Sequence, residues 1–305
     1  MSGAPPEVSP SFRCGYVAII GEPNVGKSTL MNALLEQKIS IVTPKPQTTR
    51  HKVLGIQSTN EYQIIFLDTP GIILPKYRLH EMMMNAAGGA IADADVLLFM
   101  ISANEATTNV HLKSETAFKK VDGIRKPVFL IINKIDLVGK QTLLPLIDHY
   151  AKSFPFREIL PISVLTGENV KRLLPTTIPH LPVHPPLYPL DIVSEHPERF
   201  FASEIIREKV FLACREEVPY STTVDIVEFK ERETGKTFIS ADVYVERESQ
   251  KGILIGKQGG NLKKIGQLAR TDIEEFIGHP VFLELHVKVR KWREDDQWLS
   301  RLGYK

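Results

Sequence analysis

The chain has 305 residues, 43% of them hydrophobic and 24% charged, which is the make-up of an ordinary globular protein with room for about two domains. A formal net charge of only +2 excludes a nucleic-acid binder recognisable by composition alone, so any such surface must be read from local clusters. Two cysteines, Cys14 and Cys214, argue against a disulfide framework and fit a reducing cytoplasm, and no run approaches the ~18 apolar residues of a membrane span.

Residues 1–12 contain a Pro- and Ser-rich stretch without an apolar core, read as a flexible tail rather than a signal peptide. Tyr16 to Ile20 is a short, mostly apolar run suited to a buried parallel strand. It leads into Gly21-Glu22-Pro23-Asn24-Val25-Gly26-Lys27-Ser28, which fits the phosphate-loop pattern G-x-x-x-x-G-K-[ST] at every fixed position. Lys27 to Gln37 then carries Leu30, Leu34 and Leu35 at helical spacing. A loop between strand and helix offers backbone N–H groups and a helix N-terminus to a phosphate. Lys27 is expected to reach the β- and γ-phosphates and Ser28, followed by Thr29, to ligate Mg²⁺.

Lys38 to Lys52 has prolines and little helical period, and is expected to be a mobile loop. Val53 to Ser58 and Tyr62 to Leu67 read as strands joined by a turn at Thr59 to Glu61, the one antiparallel pair. The second strand runs into Asp68-Thr69-Pro70-Gly71, where Asp68 supplies a second contact on the Mg²⁺ side. Leu79 to Ala92 reads as a helix, Val96 to Ile101 as a strand and Val110 to Val121 as a helix. Val128 to Ile132 is a strand ending in Asn133-Lys134-Ile135-Asp136, Leu143 to Phe154 a helix, and Glu158 to Ile162 a strand ending at Ser163-Val164-Leu165-Thr166-Gly167. Leu173 and Leu174 open a last helix. Strands alternating with helices, with polar motifs at the strand C-termini, describe an open α/β sheet that binds ligand at that edge.

N-K-x-D selects guanine for a physical reason. The Asp136 carboxylate accepts from guanine N1–H and its 2-amino group, and adenine offers neither donor. Asn133 is placed to brace the base edge and phosphate loop, and the Lys134 stem to lie along the base. An ATP-dependent kinase or ATPase is thereby disfavoured.

From Ile178 to Pro197 there are six prolines, a density that breaks helix and sheet and marks a stiff linker with the boundary near Leu181. Ala202 to Arg215 reads as an amphipathic helix. Thr222 to Glu231 and Thr237 to Arg247 alternate as a hairpin across a turn at Glu233 to Lys236. Gly252-Ile-Leu-Ile255-Gly256-Lys257-Gln258-Gly259 precedes a helix from Gly260 to Ile277, and Val281 to Val289 is the closing strand. No acid occurs from Ser249 to Thr271, against Lys251, Lys257, Lys263, Lys264 and Arg270; Lys288, Arg290, Lys291 and Arg293 form a second cluster.

The set G-E-P-N-V-G-K-S, Gln47-Thr48-Thr49-Arg50, D-T-P-G, N-K-I-D and S-V-x-x-G resembles the motifs of translation-factor-class GTPases. The order α-β-β-α-α-β with a G-x-x-G turn resembles a K-homology RNA-binding domain of bacterial topology, which clamps about four nucleotides. Together the halves resemble the Era GTPase family over almost the whole chain, with Ser203 to Lys209, Leu283 to Val289 and Leu302-Gly303-Tyr304 as further supporting segments. The resemblance implies an α/β phosphate-loop GTPase domain with a mostly parallel sheet at 13–180, a linker at 181–201, and a smaller α+β K-homology domain at 202–305.

It implies GTP or GDP held by residues 21–29, 68–71, 133, 134, 136, 163 and 164, with Ser163 and Val164 offering backbone contacts to the base. Thr48 or Thr49 closes over Mg²⁺ and the γ-phosphate; Thr49 is favoured because it directly precedes Arg50. The implied metal ligands are Ser28, Thr49 and Asp68, and the implied catalytic residues Lys27, Asn24, Thr49 and Gly71. Asn24 matches the residue that helps related GTPases hold K⁺. Ile72 stands where Ras-like enzymes carry a water-orienting Gln, so hydrolysis is slow or completed by another group. Arg50 is a weaker candidate for that role, expected to be solvated.

The implied RNA-binding residues are Lys251, Ile255, Gly256, Lys257, Gln258, Gly259, Lys263, Lys264, Arg270, Lys288 and Arg290. The implied partners are the 3′ end of small-subunit ribosomal RNA and the small ribosomal subunit. A cytoplasmic monomer with peripheral attachment to the inner face of the cell membrane completes the expectation. The competing reading is an RNA chaperone that uses GTP only as a ligand.

Overall fold

The computed structural model describes residues 9–104, 123–231 and 235–304. The helix expected at Val110 to Val121 and the centre of the hairpin turn at Glu233 lie outside them. The described chain forms two compact units.

The first unit comprises Met1–Ile39, Lys52–Ile73 and Met84–Glu195. Its sheet has six strands: β1 (Arg13–Gly21), β2 (Val53–Ser58), β3 (Tyr62–Asp68), β4 (Val96–Ser102), β5 (Val128–Asn133) and β6 (Glu158–Pro161), in the order β2-β3-β1-β4-β5-β6. Every neighbouring pair is parallel except β2 with β3. All residues of β4 and β5 are buried, which explains their unbroken apolar runs. Helices α1 (Lys27–Leu35), α2 (Arg78–Asp93), α3 (Lys140–Ser153) and α4 (Leu173–Thr177) alternate with the strands. Helix α3 begins three residues before Leu143, which moves Pro145 from the first turn into the helix interior.

The proline-rich stretch read as a linker is laid on this sheet. Cys14 N–H donates to Pro182 O at 3.1 Å and Ile56 N–H to Val193 O at 2.7 Å. The buried Gln63 side chain accepts from Leu187 and Tyr188 N–H and donates to Tyr188 O. Proline lacks a backbone N–H, so its prolines fasten the segment only as acceptors, as Pro182 O does, and the donors come from the residues between them.

The second unit comprises Ser40–His51, Leu74–Met83 and His196–Lys305. Helix α5 (Glu198–Ala213) is followed by β7 (Thr223–Glu231), β8 (Thr237–Val245), α6 (Glu248–Ile255), α7 (Gly260–Ile277) and β9 (Val281–Val289). The sheet order is β7-β8-β9, antiparallel then parallel. Alternate residues of β8 (Ile239, Ala241, Val243 and Val245) join Ile206 and Val210 of α5 and Ile265, Ala269 and Ile273 of α7 in one core. Helix α5 starts one turn before Ala202, with Pro197 as its N-cap residue and Glu198 complementing the helix dipole. A further helix, α8 (Asp296–Arg301), lies beyond the expected elements; Asp295 caps it by accepting from Trp298 N–H at 3.0 Å.

Candidate functional site

In the first unit, the motif residues converge at the C-terminal ends of β1, β3, β5 and β6. Residues 22–26 link β1 to α1, so Lys27, Ser28 and Thr29 form the helix's first turn. Asp68 ends β3 and Asn133 ends β5. Ser28 Oγ donates to Asp68 Oδ2 at 2.6 Å, bringing together the hydroxyl and carboxylate named as metal ligands. Thr69 Oγ1 donates to Ile19 O at 2.8 Å, and Ile72 N–H to Gly21 O at 3.0 Å, so the D-T-P-G turn is bonded to β1.

The N-K-I-D turn is tied to the phosphate loop. Asn133 Nδ2 donates to Val25 O at 2.8 Å, and Lys134 Nζ to Asn24 O at 2.7 Å. Asn133 Oδ1 accepts from Val164 N–H at 3.0 Å, and Ser163 Oγ donates to Asp136 Oδ1 at 2.6 Å. The S-V-x-x-G loop thus sets both base-side residues. Asp136 itself is exposed. Gly26 has φ +104°, and a Cβ there would stand 2.4 Å from Asn133 Nδ2, so only glycine closes the cradle.

Lys27 is 6% exposed, with Nζ bonded to the carbonyls of Gly21 at 3.2 Å and Glu22 at 2.7 Å. Burial pushes its pKa down to about 8, against the opposing pull of Asp68 and Glu22. The carbonyl partners hold the ammonium within the loop that a phosphate would fill. Ser28 and Asp68 are hard oxygen donors, few in number, as Mg²⁺ takes when phosphates supply the rest. The donor set and cradle fit a magnesium nucleotide.

Thr48 and Thr49 belong to the second unit. Arg50 departs from its expected solvation. It is 2% exposed and donates to the carbonyls of Thr222, Pro219 and Tyr220 at 2.7, 3.1 and 2.9 Å. Its guanidinium carbon lies 5.6 Å from the Phe211 ring centroid and 5.5 Å from that of Trp292. Ile72 is 5% exposed and packs in the first unit's core, which removes its side chain from water chemistry.

The second unit presents a different surface. Residues Lys257 to Gly259 form one tight turn between α6 and α7. Gly256 has φ +73°, and a Cβ there would stand 2.7 Å from Asn261 Cβ. Ile255 ends α6, and the Gln258 backbone is left-handed at φ 51°. Beside the turn lies a groove of about 400 Å³ lined by Leu262, Lys263, Gln267 and Arg270 of α7 and by Phe282 and Leu285 of β9, among others. Lys251, Lys257, Lys263, Lys264 and Arg270 have no ion-pair partner among the described residues. Lys288 and Arg290 do: Lys288 bonds Asp242 at 2.6 Å, while Arg290 bonds Asp295 at 3.0 Å and stacks over Trp298 at 4.0 Å. The groove residues Leu262, Gln267 and Phe282 are not among the RNA-binding candidates named from the sequence. Spacing of three and four along α7 marks its wall, but β9's place beside it depends on a long-range pairing.

Residues 16–134 match the family of 50S ribosome-binding GTPases, and residues 217–293 match the KH domain. GTPase Era of Geotalea daltonii is 48% identical over 294 residues, covering 96% of this chain and 98% of that protein. GTPase Era of Ruminiclostridium cellulolyticum is 44% identical over 296 residues, covering 97% and 98%. A crystal structure of an Aquifex aeolicus Era variant bound to GDP·AlF₄⁻ superposes with TM-score 0.92 at 45% identity, over 96% of this chain and 99% of that one. A crystal structure of Era with MgGDPNP and nucleotides 1506–1542 of 16S ribosomal RNA gives the same figures. With kinship over nearly its whole length added to the two sites, the chain belongs to the Era family of GTPases.

Proposed function

We propose that the chain is a GTP-hydrolysing switch that binds the 3′ end of small-subunit ribosomal RNA and assists assembly of the small ribosomal subunit. The observation that carries the reading is the groove beside Gly256 to Gly259, with cations that have no ion-pair partner among the described residues, in one chain with the bonded N-K-I-D and phosphate loops. A related Era holds both ligands at once, MgGDPNP and the 16S fragment. Two free cysteines and the family resemblance support cytoplasmic residence, and the resemblance supports a monomer with peripheral attachment at the membrane.

In the proposed reaction, Asp136 accepts from the guanine edge while Asn133 and Lys134 keep that turn bonded to the phosphate loop. Backbone N–H groups of residues 24–28 receive the phosphates, and Lys27 neutralises charge between β and γ. Ser28 and Asp68, joined by Thr49 in the GTP state, hold Mg²⁺, which offsets charge building on the phosphate oxygens. Gly71 offers its backbone to the γ-phosphate. Asn24 would help hold K⁺, which would supply further positive charge to the reaction.

The second reading, an RNA chaperone with negligible turnover, draws support from Ile72, whose packed side chain has no group to orient water. Single-turnover hydrolysis with and without RNA and K⁺ separates the two. Sequencing RNA that copurifies with a GTP-locked form tests the ligand: enrichment of the small-subunit 3′ end supports the proposal, and random recovery contradicts it.

A further inference from the structure

Ser40–His51 follows α1 in the chain, yet it belongs to the unit that carries the G-x-x-G turn. Bonds to α5 and to the loop before β7 hold it there. Val42 N–H donates to Glu208 Oε1 at 3.0 Å. Lys45 Nζ donates to the carbonyls of Phe211 and Cys214, at the C-terminus of α5 where carbonyls lack helical partners. Arg207 Nη2 donates to Thr48 O at 2.6 Å. Arg50, one residue past Thr49, donates to the three carbonyls at 219, 220 and 222. One guanidinium therefore holds the Thr48 carbonyl, and the other anchors the residue that follows Thr49.

This grip is an expensive way to hold a loop. Arg207 is 1% exposed, and its guanidinium carbon lies 5.4 Å from the same Phe211 ring that Arg50 faces. Two like charges thus share one buried ring. Glu204 offsets one of them through a two-pronged pair with Arg207, Nε to Oε1 at 2.8 Å and Nη2 to Oε2 at 2.5 Å. Arg207 Nη1 is buried with no hydrogen-bond acceptor among the described residues. Apolar contacts would fasten a loop without these burdens.

We infer that Arg207 and Arg50 are positioning residues for the nucleotide reaction, setting the backbone of Thr48 and Thr49 from within the RNA-binding unit. The inference rests on the proposal that Thr49 closes on Mg²⁺ and the γ-phosphate. A ligating hydroxyl serves only when its peptide is fixed, since misplacement by about 1 Å costs on the order of a hundredfold. Arginine suits the task because its planar fork points several donors in set directions; the Nε–Nη2 edge grips Glu204, and Nη2 also donates to the Thr48 carbonyl. Lysine keeps the charge but cannot make both sets of bonds.

The test uses the full chain as wild type, Arg207→Lys, Arg50→Lys and Thr49→Ala. Affinities for GDP and for a non-hydrolysable GTP analogue are measured with Mg²⁺, beside single-turnover hydrolysis and a thermal melt. Each arginine variant is expected to bind GDP within about twofold of wild type, to bind the analogue about tenfold more weakly, and to hydrolyse at least tenfold more slowly. If one variant does not fold, the other carries the test. Wild-type analogue affinity and rate in a folded arginine variant, beside an impaired Thr49→Ala, overturn the inference alone. An equal fall in GDP and analogue affinity also overturns it, because it signals general damage. An unimpaired Thr49→Ala overturns the threonine reading beneath it.

Discussion

Asn133 donates its side-chain amide to Val25 O at 2.8 Å and accepts from Val164 N–H at 3.0 Å, so one residue joins the phosphate loop to both base-side loops. That joint sets where Asp136 meets a base. Replacing Asp136 with Asn is expected to move preference from GTP towards XTP, because an amide donates to the 2-oxo group of xanthine where a carboxylate only accepts. Two charge-assisted hydrogen bonds at roughly 1.5–3 kcal/mol each would give a loss of GTP affinity of about a hundredfold or more. The exposure of Asp136 favours the lower end. Competition binding of GTP and XTP reads the outcome; a folded variant with full GTP affinity and no gain for XTP contradicts the guanine assignment.

Hydrolysis is expected to depend on potassium through Asn24. Replacing K⁺ by Na⁺ at constant ionic strength slows turnover in the wild type, and Asn24→Ala abolishes the difference. Equal wild-type rates in the two salts exclude the ion.

Lys27 predicts a proton linkage. With its pKa lowered to about 8, the free protein carries this lysine partly neutral at pH 8.5. A bound phosphate draws the proton back on, so nucleotide binding takes up protons at that pH and takes up progressively fewer towards pH 7. Calorimetry of GDP binding in buffers of different ionisation enthalpy measures the uptake; heats independent of buffer at pH 8.5 refute it. In the absence of nucleotide, the unfolded chain binds more protons than the folded one between about pH 8 and 10.5, so this group's contribution to stability rises with pH across that window.

Acid should loosen the segment that bears Thr48 and Thr49. His51 stacks on Tyr304 at 4.2 Å, and its pKa falls to about 4 through burial and the neighbouring Arg207 and Arg50, against the pull of Glu204. His80, hydrogen-bonded to Gln47 at 3.1 Å, also falls to about 4, mainly through burial. Both rings bind more protons unfolded than folded between pH 4 and 6.5, so stability is full above 6.5 and is lost as pH falls. At pH 5 each contributes a loss of up to ~2 kcal/mol, less where solvent reaches the ring. Thermal melts at pH 7 and pH 5 should show a drop that His51→Gln reduces; identical melting temperatures in wild type contradict it.

The clustering of the first unit's motifs was legible because each motif is local. Each motif occupies a few consecutive residues at a strand end, and the parallel sheet brings those ends together. The expected sheet, with one antiparallel pair, is the observed one. Arg50 was misread as solvated because its acceptors, the carbonyls of 219, 220 and 222, lie about 170 residues away. No periodicity reports such a partner. Helix α8 escaped notice because it is six residues long and is held by tertiary contacts, among them Trp298 edge-on to Tyr244 at 5.1 Å. Lys288 and Arg290 appeared equivalent to Lys257 and Lys263 in sequence, yet the first two are ion-paired within the fold.

In the proposed function, one chain joins a guanine-nucleotide site to a separate RNA-binding turn. Changing Lys257 and Gln258 both to Asp tests it most directly, because Gly256 and Gly259 stay in place and preserve the turn. The measurement is a titration with small-subunit ribosomal RNA 3′-end fragments at two salt concentrations, beside GDP binding. RNA affinity is expected to be at least tenfold weaker with a shallower salt dependence, since a cation is lost and two negative charges face the RNA backbone, and GDP affinity to stay within about twofold of wild type. Undiminished RNA affinity in the folded double variant would contradict it.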